Sequence, residues 1–354
     1  MRRECKYCRE APPERILCAV SQLHRVLIED AVSLQQSAPS ASRFRLTDYY
    51  WILAGNSSII KRRTMSSLSR RLGTAIWFGA VAATTACILG AGYSYGQEIK
   101  ILKWDTQAPE KEFRFFADSP TDPYMVRLRT EFGLDKMTAG AKDDLERVKI
   151  ITSWVHSQWE HKGDCTPPKN DPIAILNAAK SGARFSCREY ALVTMDCLNS
   201  IGIKSRIVEI MPKDIEIRTR GSYHIVTEAF LPDRHKWVMA DAQWNAVPTY
   251  KGKPLNIVET RRAIAEGRYK GLSFGAIPDS IKAIYPLQLA DYIYFLRVGF
   301  INRVSITKLP TSVMGRRGVL LAPLDSEIPK SFLDATKGRV EITHNPSAFY
   351  GPIF

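Results

Sequence analysis

The stretch RFSCREYALVTMDCLNSIGIKSR, residues 184–206, carries two cysteines ten residues apart in what reads as one helix. Ser186, Cys187, Arg188 and Glu189 match the capping pattern S-x-x-E ahead of a largely apolar run. Ser186 is then the N-cap, Glu189 the third helical residue and Cys187 the first. A sulfur there lies beside unsatisfied backbone N–H groups and the positive end of the helix dipole, both of which favour a thiolate. Cys197 falls about 15 Å further along the axis at 1.5 Å per residue, among Val193, Leu198 and Ile201. The two thiols cannot share a site. Cys187 is the candidate nucleophile and Cys197 reads as a core thiol, the commoner fate of a cysteine.

A thiolate needs a base, and the base needs a group to orient it. Of the six histidines, His24 lies far upstream, His235 sits in a turn and His344 in the tail. His156 and His161 flank a helix end and read as polar surface beside Trp154 and Trp159. His224 opens the strand-like run HIVTEAF, and Asp241 ends the next one, KWVMAD, with the turn PDRHK between them. Counting back from that turn sets position 224 roughly opposite the low 240s, within reach of Asp241. A nucleophile at a helix start, a base on one strand and a carboxylate on the next make a complete thiol triad. Glu189 reads as a capping partner, with substrate contact as its alternative, and Trp244 and Asn245 as walls of the site. The pair Cys5 and Cys8 lacks a second half at zinc-ligand spacing, so neither metal nor cofactor is expected.

The elements that must hold these residues follow from periodicity. Leu145, Val148, Ile151, Val155 and Trp159 recur at helical spacing behind the acidic start Asp143, Asp144 and Glu146. Residues 160–170 read as a loop, and Asp171 with Pro172 opens a second helix. The cysteine helix is the third and ends at Gly202. Then the period changes to two, in SRIVEIMP, YHIVTEAFLP and KWVMADAQW. Helices followed by strands predict an α+β domain, with an antiparallel sheet packed on helices. Further on, IVETRRAIAEGRY and YPLQLADYIYFLRVGF read as helical, and RVSITKL and RVEITHN as strands. Tyr285, Tyr292, Tyr294 and Phe295 read as core packing, or else as the lining of a groove.

The order Cys, His, Asp on a helix start and two successive strands resembles the transglutaminase-like superfamily over roughly 140–250. FSCREYA, CLNSIGIKSRIVEI, HIVTEAF and WVMADAQWN carry the likeness, in order and at suitable spacing. The resemblance implies a papain-like core with Cys187 as nucleophile, His224 as base, Asp241 as orienting carboxylate and Arg206 in a structural ion pair. It implies acyl transfer through a Cys187 thioester, on a protein or peptide substrate and without a cofactor. The backbone N–H of Cys187 is one donor to the oxyanion. Hydrolysis of a peptide or isopeptide bond is the leading outcome and transamidation the alternative. A membrane-tethered binding module that kept the fold and lost turnover is the reading from another class.

The chain has 354 residues and a formal net charge of +14. Residues 1–71 hold 13 Lys and Arg against 6 Asp and Glu, which leaves a thinly spread charge elsewhere and no basic stripe suited to nucleic acid. Arg70 and Arg71 precede an uncharged run, 72–97, long enough to span a bilayer. That is the pattern of an export signal, either cleaved or kept as an anchor, with the rest of the chain periplasmic or otherwise extracytoplasmic. The organisation expected is an extension over 1–64 that is disordered or precedes a true start at Met65, then the leader or membrane anchor 65–97. A lead-in 98–139, the core 140–250 and a C-terminal extension 251–354 of mixed helix and strand follow.

Overall fold

Apolar residues at helical spacing build one layer of the molecule. The computed structural model describes residues 99–354 apart from 164, 219, 220, 222, 278, 304–314, 331, 332 and 334–337. Helices α1 (Pro123–Glu131), α3 (Asp144–His156) and α4 (Pro172–Lys180) pack on α5 (Cys187–Ser200), and the short α2 (Leu134–Thr138) sits against α1 and α3. The Asp143 and Asp171 side chains cap α3 and α4 as their positions predict, accepting from Glu146 and Ala174 backbone N–H groups at 2.8 Å. Helix α5 is buried from Glu189 to Ser200 because helices cover one side of it and a sheet the other. It stops at Gly202, whose φ of 88° turns the chain through the left-handed region that glycine adopts freely.

The strands are β1 (Phe116–Ala117), β2 (Ser205–Met211), β3 (His224–Leu231), β4 (Lys236–Ala240), β5 (Ala246–Tyr250) and β6 (Lys253–Pro254). After them come β7 (Leu272–Gly275), β8 (Phe295–Gly299), β9 (Ile301–Asn302), β10 (Gly318–Leu321) and β11 (Val340–Thr343). The main sheet has the order β11-β10-β8-β2-β3-β4, antiparallel except between β10 and β11. Strand alternation gives it two apolar faces. Ile207, Ala229 and Val238 face the helices, while Val208, Val226 and Met239 face a second core built with α6 (Ile257–Ala265) and α8 (Tyr285–Tyr292). The short α7 (Asp279–Lys282) and α9 (Pro346–Phe349) complete the helices described. The fold is α+β, as the period change predicts.

Three expectations are revised. Trp159 is buried but lies beyond the end of α3 at His156. The run YPLQLADYIYFLRVGF is helical only to Tyr292, and Phe295–Gly299 is a sheet strand. An aromatic apolar run carries no clear period, so pairing with β2 and β10 decides its conformation. The C-terminal residues also complete the main sheet, to which they contribute β8, β10 and β11. Both the 1–64 extension and the 65–97 leader lie outside the described residues, as does most of RVSITKL. Among the described residues no helix is long and apolar enough to cross a membrane.

Asp196 sits in the middle of α5, fully buried, and neither oxygen accepts a hydrogen bond of ordinary geometry. Burial, then the charge of Asp118, pushes its carboxyl well above the ordinary value, against a smaller pull from Asn199. The folded state therefore holds a proton that the unfolded chain releases above about pH 4, and stability falls as pH rises through that range. Asp196→Asn is expected to raise the thermal midpoint at pH 7–8 by a few degrees, at roughly 2–4 °C for each kcal/mol gained. It should also flatten the pH dependence between pH 4 and 8 in a scanning-calorimetry series.

Candidate active site

The local chemistry of the α5 start places Cys187. Ser186 is extended and forms a reciprocal capping box with Glu189. Glu189 Oε2 accepts from Ser186 N at 3.1 Å and from Ser186 Oγ at 2.7 Å. This fixes Cys187 as the first helical residue, half-buried and with a free thiol. Glu189 itself is buried and spends Oε2 on the cap.

His224 begins β3, and its Nε2 donates to Asp241 Oδ2 at 2.8 Å. Its ring also lies close enough to the Cys187 side chain for the sulfur to favour the charged imidazole, and Nδ1 is the nitrogen left to face it. The three side chains singled out from sequence therefore meet in one relay. Burial of the imidazole works against its charge. Burial is the largest single influence, but the charge and hydrogen bond of Asp241 together with Cys187 outweigh it, and His224 is raised to about 10. At neutral pH the ring is an imidazolium.

Asp241 is placed by its own backbone. Asp241 N donates to Ala246 O at 2.8 Å and Ala246 N to Asp241 O at 2.9 Å, closing the loop 242–245. Asn245 completes that loop at a φ of 53° and donates to Ser153 Oγ at 3.4 Å. Trp244 is half-buried, its ring 6.1 Å from that of Tyr285.

Residues 134–242 match the family model of the transglutaminase-like superfamily. They form a transglutaminase-like domain. Nothing matches among curated proteins. Among solved structures, a candidate cysteine protease from Cytophaga hutchinsonii is 15% identical, with a TM-score of 0.28 over 35% of this chain and 39% of that one. A candidate protease from Parabacteroides distasonis ATCC 8503 is also 15% identical, with a TM-score of 0.22 over 33% and 25% of the two chains. This chain thus covers well under half the length of either structure.

Three residues in or beside the transglutaminase-like domain reach the site without having been assigned to it from sequence. Tyr285, from outside the matched residues, donates its hydroxyl to Asp241 Oδ2 at 3.0 Å. Burial, then the Asp241 charge, pushes its phenol well above the ordinary value. His156 is not mere polar surface, because its Nδ1 bonds Ala242 O at 2.9 Å and Gln243 O at 3.1 Å. It buttresses the loop that carries Asp241. His161 lies on a loop pinned to the α5 approach by Lys162 N donating to Phe185 O at 2.8 Å. Burial and the His224 charge lower its pKa, against smaller opposite pulls from Asp241 and Glu189. Among the described residues no cluster of His, Cys, Asp and Glu could hold a metal ion.

Proposed function

We propose that the chain is a thiol acyl-transfer enzyme acting on amide bonds, with Cys187 as nucleophile, His224 as proton carrier and Asp241 as the group that orients it. The observation that carries this reading is the relay Asp241 Oδ2–His224 Nε2 at 2.8 Å, with the other face of the ring turned to a cysteine at a helix start. In the reaction, the Cys187 sulfur attacks the amide carbonyl and forms a C–S bond. Negative charge on the oxygen meets the Cys187 backbone N–H, which no helical carbonyl claims. The C–N bond then breaks, and the His224 imidazolium gives its proton to the departing amine. A thioester remains. Neutral His224 next takes a proton from water, the hydroxide adds to the thioester carbonyl, and the C–S bond breaks to release the acid product and restore the thiolate beside the imidazolium.

The acyl group passes to water, in peptide or isopeptide hydrolysis of a protein or peptide substrate. The apolar run behind Arg70 and Arg71 favours placing this chemistry outside the cytoplasmic membrane.

Iodoacetamide tests the nucleophile without a known substrate. A free cysteine is only a few per cent thiolate at pH 7, so Cys187 paired with His224 should be alkylated on the order of tenfold faster. His224→Ala should remove that advantage, as read by mass spectrometry of the Cys187 peptide over time. Equal rates in the two proteins would sink the pair. Incubation with a labelled amine and a glutamine-bearing peptide settles the acyl acceptor, since covalent attachment of the label would replace hydrolysis with transamidation.

A further inference from the structure

A cleft of about 600 Å³ opens along the side of α5, on the helix face of the main sheet. Arg188, Leu192 and Met195 form one wall. They sit one or two turns apart on the helix, so the wall runs about 10 Å from the first turn, where Cys187 sits. The floor follows the register of the sheet: Ile225 pairs with Glu209, and Glu209 with Arg297. With strands about 4.8 Å apart, that row extends about 10 Å from the residue next to His224. The near end of the cleft is thus marked by Arg188 and Ile225, the chain neighbours of Cys187 and His224. The His224 side chain itself turns to the other face of the sheet, and the cleft leads away from the first turn of α5 across the strands.

Its charge is lopsided. Five arginines line it against a single carboxylate, Glu209, which pairs with Arg297. Arg303 donates Nε to Ala117 O at 2.6 Å. Arg188, Arg317 and Arg339 have no ion-pair partner among the described residues, and all three are exposed. Three unpaired guanidinium groups around a formed cavity suit planar anions, which arginine binds through two parallel hydrogen bonds. Carboxylates on a polypeptide fit better than a nucleic acid. The lining contains no aromatic side chain on which bases could stack, while Leu192, Met195, Ile207 and Ile225 offer an apolar floor and wall to a peptide.

We infer that this cleft is a subsite for an acidic segment of the polypeptide whose amide bond reacts at Cys187. The inference rests on the acyl-transfer reading and deepens it. An extended chain rises about 3.3 Å per residue, so acidic residues some three to five positions from the reacting amide would meet the arginines.

The test uses the full-length chain carrying Cys187→Ala and three fluorescent probes, octaglutamate, octaglutamine and an eight-nucleotide oligothymidylate, read by anisotropy at low salt. Octaglutamate should bind at least tenfold more tightly than the other two. The double change Arg317→Ala and Arg339→Ala, at two exposed positions, should weaken it at least tenfold. With Cys187 restored, saturating octaglutamate should slow alkylation of the thiol several-fold. Equal binding of octaglutamine, indifference to the arginine changes, tighter binding of the oligothymidylate, or binding without protection of Cys187 would each overturn the subsite. Because the binding arm lacks the thiol, octaglutamate binding beside an unreactive Cys187 would fault the acyl-transfer reading alone.

Discussion

In an NMR titration of the full-length protein, the His224 ring should keep its proton to about pH 10, and Asp241→Asn should lower that midpoint by about two units or more. The sign follows from two opposed effects. Burial of the ring, only 8% exposed, disfavours the cation. The Asp241 carboxylate at 2.8 Å favours it and, with Cys187 beside the ring, prevails. Asparagine keeps an oxygen for Nε2–H and removes the charge, so burial then decides and the ring becomes neutral near neutral pH. Stability should follow the same groups. Because the folded value is raised, the stabilisation is complete below about pH 6.5, where the unfolded chain is also protonated, and is lost as pH rises toward 10. Asp241→Asn should flatten that slope in thermal melts between pH 6.5 and 10.

Asp241→Ala separates orientation from charge. Thiol sites with asparagine in the third position are catalytic, so Asp241→Asn should retain part of the Cys187 alkylation rate at pH 7. Alanine removes the acceptor as well. The ring is then free to turn away from the sulfur, and the rate should fall to that of His224→Ala. A native midpoint near 6.5 would remove the physical basis of the relay.

The parts of the site legible in the sequence are those fixed by local rules. The capping box sets Cys187 within four residues, and hairpin counting sets His224 near Asp241. The count was approximate, since the register pairs Thr227 with Ala240 and so sets Val226 opposite Asp241. His224 reaches the carboxylate diagonally, from two residues along on the same face. Tyr285 and His156 were not legible as site residues. One acts across 44 positions and the other across 86, and neither disturbs its local pattern. The cleft was hidden for the same reason. Arg297, Arg317 and Arg339 converge only because β8 pairs with β2 and brings β10 and β11 after it, and no periodicity in the chain announces that order.

Arg206→Ala should be the most damaging single change to stability, at about 3–5 kcal/mol, the usual cost of stranding one partner of a buried ion pair. Arg206 and Glu228 are both fully buried on neighbouring strands. The guanidinium gives Nε and Nη2 to Glu228 Oε2, at 3.2 and 2.8 Å, and Nη1 to Phe349 O at 3.0 Å. Rings of Trp237, Phe115, Phe349 and Tyr350 surround it at 4.0 to 5.2 Å. Glu228 Oε1 accepts from Ile257 N at 3.1 Å and Tyr350 Oη at 3.0 Å. Alanine would leave a carboxylate in that aromatic box with no cation, and the thermal midpoint should drop by roughly 10 °C. Lysine keeps the charge without the planar fork, so it should recover only part of the loss. The double change Arg206→Met with Glu228→Met removes both charges together and should cost less than Arg206→Ala, because no buried ion is stranded. The order alanine, lysine, double methionine in rising midpoint would assign the cost to the unpaired carboxylate. A double variant as unstable as alanine would assign it instead to the hydrogen bonds that tie β2 and β3 to α6 and α9.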